Sequence, residues 1–94
     1  MQDISKKWQV YLLECSDRTY YCGISNRFVK RLTDHIGSKG AKYTRGRGPF
    51  KVLAITGFVT KSHALRIEAM IKSLKRSNKV VALLEIALDM KRRK

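Results

Sequence analysis

Two β-prone stretches lie so close together that the residues between them can form only a turn. Trp8 to Glu14 is rich in Trp, Val, Tyr and Leu, and Thr19 to Ile24 has the same character. Ser16, Asp17 and Arg18 between them form a turn cluster, so the pair reads as a β-hairpin, and any fold must contain an antiparallel sheet. Side chains alternate along a strand, which puts Trp8, Val10 and Leu12 on one face and Gln9, Tyr11 and Leu13 on the other. Tyr21 shares a face with Thr19 and Gly23. An odd hairpin loop points Tyr11 and Tyr21 to the same side; a two-residue loop points them apart, because a one-residue slip flips every side chain. The sequence leaves both registers open.

Downstream the period changes from two to about three and a half. Ser25 or Asn26 is expected to cap a helix running to about Ile36, with Gly37 just past its end and Val29, Leu32 and Ile36 as its apolar stripe. Arg31 and His35, four residues apart, then sit one above the other on a neighbouring face. Gly37 to Pro49, GSKGAKYTRGRGP, has neither helical nor strand period and reads as a loop. Lys51 to Phe58 is expected to be a third strand. A second helix from Thr60 or Ser62 to about Lys75 or Arg76 would bury Ala64, Ile67, Ile71 and Leu74. Ser77 is expected to cap a third helix through Met90, with Val80, Leu83, Leu84 and Ala87 inward. The resulting order, β-β-α-β-α-α, implies an α+β fold (α/β in the broad sense): a small three-stranded antiparallel sheet with flanking helices.

Ninety-four residues are enough for a single domain, 1–94, with a modest core over about 8–76 and a C-terminal helix and basic tail over 77–94. Lys and Arg number 21 against 7 Asp and Glu, a net charge of +14. Such a field attracts polyanions and is indifferent to the choice between DNA and RNA. Cys15 and Cys22 form no CxxC pair and have no Cys/His cluster around them, so a zinc site is not expected; both read as reduced thiols of a cytoplasmic protein. No apolar run approaches the roughly 20 residues that span a bilayer, so no membrane partner is expected, and Met1 to Lys7 lacks the apolar stretch of a signal peptide.

The strand Gln9-Val10-Tyr11, followed by Tyr21-Cys22-Gly23, resembles the paired triplets that name the GIY-YIG nucleases. Arg31 stands eight residues after Gly23 and His35 four further on, matching the family's helix motif, and Glu68 occupies the place of the family's acidic residue on the helix after the third strand. The likeness runs from Trp8 to about Lys75 and includes the SKGAKYTRG loop. It is nearest to the short stand-alone bacterial members and to the nuclease domain of Slx-type structure-specific endonucleases. The first triplet reads QVY, so only its Tyr matches; the second reads YCG.

The resemblance implies a metal-dependent endonuclease that hydrolyses phosphodiester bonds, with DNA as the favoured substrate, selective for structure rather than sequence, working in DNA repair or recombination. It implies Tyr11, Tyr21, Arg31, His35 and Glu68 as the catalytic set. Glu68 is a hard carboxylate suited to one Mg²⁺ or Mn²⁺, which keeps several waters and also takes substrate phosphate. Arg31 offers a planar fork of donors to phosphate oxygens. Tyr11 is the candidate general base; with an ordinary value of about 10, a Tyr needs help from nearby cations or must act through water. Tyr21 and His35 would orient water and phosphate. Nucleic-acid contacts are expected from the loop residues Lys39, Lys42, Tyr43, Arg45 and Arg47, with Lys72 beside Glu68; Tyr43 is placed to stack on an unpaired base.

Each of these residues also has an ordinary explanation. The tyrosines suit half-buried strands, Arg31 a solvated helix face, His35 a helix C-terminus, and Glu68 an i, i+4 pair with Lys72. A catalytically weak or inactive nucleic-acid-binding module therefore stands as the alternative. With no room for an additional DNA-binding domain beside this one, a protein partner that supplies specificity fits either reading.

Overall fold

The computed structural model describes residues 5–36 and 47–92. Its elements are β1 (Gln9–Glu14), β2 (Tyr20–Ser25), α1 (Phe28–Ile36), β3 (Lys51–Ile55), α2 (Lys61–Ser73) and α3 (Arg76–Arg92). The strands form one antiparallel sheet in the order β2-β1-β3, so the fold is the expected α+β arrangement, and among the described residues no strand pairs with the outer side of β2. No helix among the described residues is long and apolar enough to cross a membrane.

The hairpin register answers the question left open above. Glu14 pairs with Tyr20, so the loop is residues 15–19, an odd number. Asp17 shapes this turn, its carboxylate accepting from the backbone N–H and hydroxyl of Thr19. Tyr11 lies opposite Gly23 and Leu13 opposite Tyr21, which makes the two phenols diagonal neighbours on one face.

β1 is the central strand and is covered on both sides; Val10, Tyr11, Leu12 and Leu13 are all essentially inaccessible. Val10 and Leu12 look into the main core with Cys22, Ala54, Ala64, Ile67, Ile71 and Leu83, under α2 and α3. Both cysteines are buried free thiols. The second helix behaves as its periodicity requires. Thr60 caps it, its hydroxyl accepting from His63 N–H at 3.1 Å, and Ala64, Ile67 and Ile71 are buried. Leu74 closes it as the C-cap, its N–H donating to the Ile71 carbonyl, and the ammonium of Lys79 donates to the carbonyls of Ile71 and Lys72 in the last turn.

Beyond shifts of one or two residues at the helix ends, where α1 starts at Phe28 and α3 at Arg76 so that Ser77 lies inside it, three expectations need correction. The third strand ends at Ile55 rather than Phe58. The Thr56 hydroxyl takes the place of a ladder carbonyl, accepting from Val10 N–H at 3.0 Å and donating to Gly57 O at 2.8 Å. The chain then swings outward, exposing Phe58, and pairing resumes as an isolated bridge between Trp8 and Val59. In α3, Leu84 is exposed; the packed face is Val80, Leu83, Ile86 and Met90, because the helix lies along β3 with that row inward.

The largest correction concerns α1. Val29 and Ile36 are 77% and 68% exposed, so the expected stripe of Val29, Leu32 and Ile36 is not the buried one. The residues turned to the sheet are Phe28, Arg31 and His35, spaced three and four apart, and His35 is the buried residue of the helix. The opposing sheet face presents two phenols, which a guanidinium and an imidazole can pair with and aliphatic side chains cannot.

Candidate functional site

Four of the five residues expected to be catalytic meet on the α1 side of the sheet. β1 supplies Tyr11 and β2 supplies Tyr21, with ring centroids 6.2 Å apart. The helix laid across them brings His35 Nε2 to 3.1 Å from Tyr11 Oη in a buried contact, and the His35 ring to 5.2 Å from that of Tyr21, edge on. The Arg31 guanidinium lies close enough to both phenols to interact with each. Phe28, 5.2 Å from the Tyr11 ring, and Phe50, 5.9 Å from His35, wall the cluster with apolar surface. Neither was singled out in the sequence, although Phe28 shares the three-and-four spacing of Arg31 and His35.

Gly23 accounts for how closely the rings approach the strand. A Cβ there would lie 2.7 Å from Tyr11 Oη, 2.8 Å from its Cζ and 2.9 Å from Tyr21 Cε2, so any larger residue must displace both tyrosines. The glycine of the second triplet is therefore a packing requirement of the site.

Burial sets the protonation states. It pushes the Tyr11 phenol up to about 12, with Tyr21 adding to the rise and Arg31 opposing it. Burial, reinforced by the Arg31 charge, holds His35 below its ordinary value, with Asp34 pulling the other way. Burial works against the Arg31 charge, but the interactions with Tyr11 and Tyr21 outweigh it, and the guanidinium is held more firmly protonated than usual. At neutral pH the cluster thus holds a fixed cation, a neutral Tyr11 phenol and a neutral imidazole.

Glu68 approaches β2 from the other side. It projects from α2 with its side chain 20% exposed and its carboxylate 3.4 Å from Lys72 Nζ. Its charge acts on Cys22, which faces the main core; burial first, then Glu68, pushes that thiol up to about 11 against Lys72 and Lys79. Tyr21, Cys22, Lys72 and Lys79 also line a cleft of about 280 Å³. Tyr21 and Lys72, the ion-pair partner of Glu68, thus both lie at β2, the outer strand of the described sheet.

Among the described residues no three or more His, Cys, Asp or Glu side chains gather as a metal cage. A single half-buried carboxylate fits Mg²⁺ or Mn²⁺ held jointly with water and substrate phosphate, since these hard ions retain most of their water.

Of the residues expected to contact nucleic acid, Lys39, Lys42, Tyr43 and Arg45 lie outside the described residues. Arg47 lies at the hairpin turn, its guanidinium in an ion pair with Asp17 and its carbonyl accepting from Ser16 N–H at 2.8 Å. Lys72 stands at the β2 edge with Glu68.

A three-stranded sheet carrying this constellation matches the GIY-YIG catalytic domain over residues 7–80, and the chain belongs to that family. Within it the chain groups with the UPF0213 proteins. It is 44% identical over 82 residues to the UPF0213 protein of Nitratidesulfovibrio vulgaris, covering 87% of this chain and 74% of that one. The solution structure of the UPF0213 protein BH0048 from Bacillus halodurans is 40% identical, covers 85% of each chain and superposes with a TM-score of 0.53. That of the protein EF2693 from E. faecalis is 30% identical over 100% of this chain and 94% of its own, with a TM-score of 0.58.

Proposed function

We propose that this protein is a GIY-YIG-type endonuclease that hydrolyses phosphodiester bonds in DNA, selecting structure rather than sequence, in repair or recombination. The observation that carries the reading is the buried Tyr11–His35 contact beside a guanidinium shared by two phenols. Membership of a family described by its catalytic domain supports it, and the charge of +14 supports a polyanionic substrate.

A phenol pushed up to about 12 is not a ready-made phenolate. Tyr11 acts instead in relay with His35. The phenol oxygen takes a proton from the attacking water as its own proton passes to His35 Nε2; the resulting hydroxide attacks phosphorus and displaces the sugar oxygen on the opposite side, which takes a proton from solvent water. His35 is suited to this step because its depressed value leaves it neutral, with a nitrogen lone pair available in the tautomer protonated at Nδ1. Arg31 stabilises charge on the phosphate oxygens from a fixed position, and Tyr21 holds Arg31 and the phosphate in register. Glu68 would hold the Mg²⁺ or Mn²⁺, which adds positive charge at the phosphate when bound. A backbone lying along the outer side of β2 reaches both halves of this arrangement, with Lys72 beside it.

Purified protein incubated with branched and single-stranded DNA plus Mg²⁺ or Mn²⁺, beside a Glu68→Ala control, tests the reading. Cleavage by the unaltered protein alone is the expected result. Equal cleavage by both would discard the role of Glu68, and salt-sensitive binding without cleavage under either metal would discard the enzyme.

A further inference from the structure

A second hollow in the described part of the molecule lies away from the tyrosine cluster. It lies where α2 and α3 diverge and has a volume of about 1140 Å³. The two helices are joined by a short turn at Leu74 and Lys75, and the ends remote from that turn line the hollow. Its floor and walls include Phe58, Met70, Ile86 and Met90; Phe58 and Met70 are exposed large hydrophobics. Around them stand Lys6, His63, Arg66 and Lys91, with one carboxylate, Asp89.

We propose that this hollow is a docking groove for an acidic amphipathic helix of a partner protein. Small-metabolite sites typically occupy about 300–1,000 Å³ and enclose most of their ligand, whereas this hollow is somewhat larger and open to solvent, which favours a larger occupant. A helix is about 10 Å across and matches an open cleft between two splayed helices. Its apolar stripe would cover Phe58 and the two methionines, whose unbranched side chains adapt to different partners. Its carboxylates would meet Lys6, Arg66 and Lys91. A second copy of this chain would bring like rims together, each on a molecule of charge +14. A nucleic acid would satisfy the cations but leave the apolar floor in water. The groove stands apart from the nuclease assignment and does not depend on it.

The three methionines, Met1, Met70 and Met90, make the test selective. Full-length protein carrying ¹³C-methyl methionine is titrated with a synthetic peptide of about five helical turns, leucine on one face and glutamate on the other. A scrambled peptide of the same composition serves as control. The expected result is that the amphipathic peptide moves the Met70 and Met90 signals and the scramble does not. Met70→Glu, at an exposed position, and Arg66→Glu should each weaken binding by about tenfold or more, the first by placing a charge against the apolar stripe. Equal shifts with the scrambled peptide would overturn the proposal. Equivalent shifts with duplex DNA would reassign the surface to nucleic acid, and shifts on raising protein concentration alone would reassign it to self-association; either also overturns it.

Discussion

Tyr11 Oη and His35 Nε2 meet 3.1 Å apart inside the fold, joining the central strand to α1 through a polar contact. The contact decides how α1 sits. Once Phe28, Arg31 and His35 turn toward the phenols, Val29 and Ile36 must face outward. A helix that would ordinarily bury aliphatic side chains is instead held by the groups proposed to do chemistry, so stability and function share the same side chains.

The depressed His35 value makes acid stability the first test. Its folded-state value lies below 6.5, so between the two values the unfolded chain binds more protons. This contribution is present above about 6.5 and is lost as pH falls through the folded value. Thermal melts should show midpoints falling from about pH 7 toward pH 5, and His35→Gln should flatten that limb. Parallel acid limbs in the two proteins would show that the imbalance resides elsewhere.

Tyr11 titrates at the opposite end. Its value is raised from 10.0 to about 12, so its contribution is complete below 10 and is lost as pH rises through the folded value. Following tyrosinate absorbance, one of the four tyrosines should ionise late, and Tyr11→Phe should remove that step. The same variant should keep the fold and reduce DNA cleavage by about 10²–10⁴-fold, the range for losing a general acid–base group.

The sequence carried the architecture and the site in different ways. The hairpin, the α2 stripe and the order of elements were legible because each rests on local period and turn chemistry. The side on which Tyr21 points was not, since it depends on whether the turn spans 15–19 or fewer residues. The buried face of α1 was misjudged for a related reason. Hydrophobic period finds the apolar side of a helix, and here the side that packs carries Arg31 and His35. The end of β3 was hidden because Thr56 replaces a backbone partner with its own hydroxyl, which no pattern of apolar residues records. The Asp17–Arg47 ion pair joins residues thirty apart and has no local signature.

Gly23 provides a test in which geometry alone sets the outcome. Gly23→Ala places a methyl group under 3 Å from atoms of both tyrosines, and both rings sit against a strand that cannot retreat. Overpacking of this kind costs about 1–3 kcal/mol, read as a lower denaturation midpoint at unchanged slope. Cleavage should fall further than stability explains, because the rings are displaced in the molecules that remain folded. Gly57→Ala is the internal contrast: its methyl group would come no closer than 3.8 Å to Met90 Sδ, and little change in either measurement is expected.

Glu68 separates chemistry from stability most cleanly. Its partner Lys72 is four residues on along α2, with the charged atoms 3.4 Å apart and the lysine side chain 56% exposed. Such pairs contribute only about 0.3–0.5 kcal/mol, because solvent screens them and ordering two long side chains opposes them. Glu68→Gln keeps the shape and removes the charge, so the melting temperature should stay close to that of the unaltered protein. Metal-dependent cleavage should instead drop by about 10²–10³-fold, the scale on which a fixed electrostatic group acts at a transition state. Raising Mn²⁺ should recover part of the loss, since a neutral amide oxygen still binds the ion, only more weakly. A large loss of stability with cleavage per folded molecule unchanged would instead make Glu68 a structural residue and move the search for the metal ligand to other oxygen donors along the β2 edge.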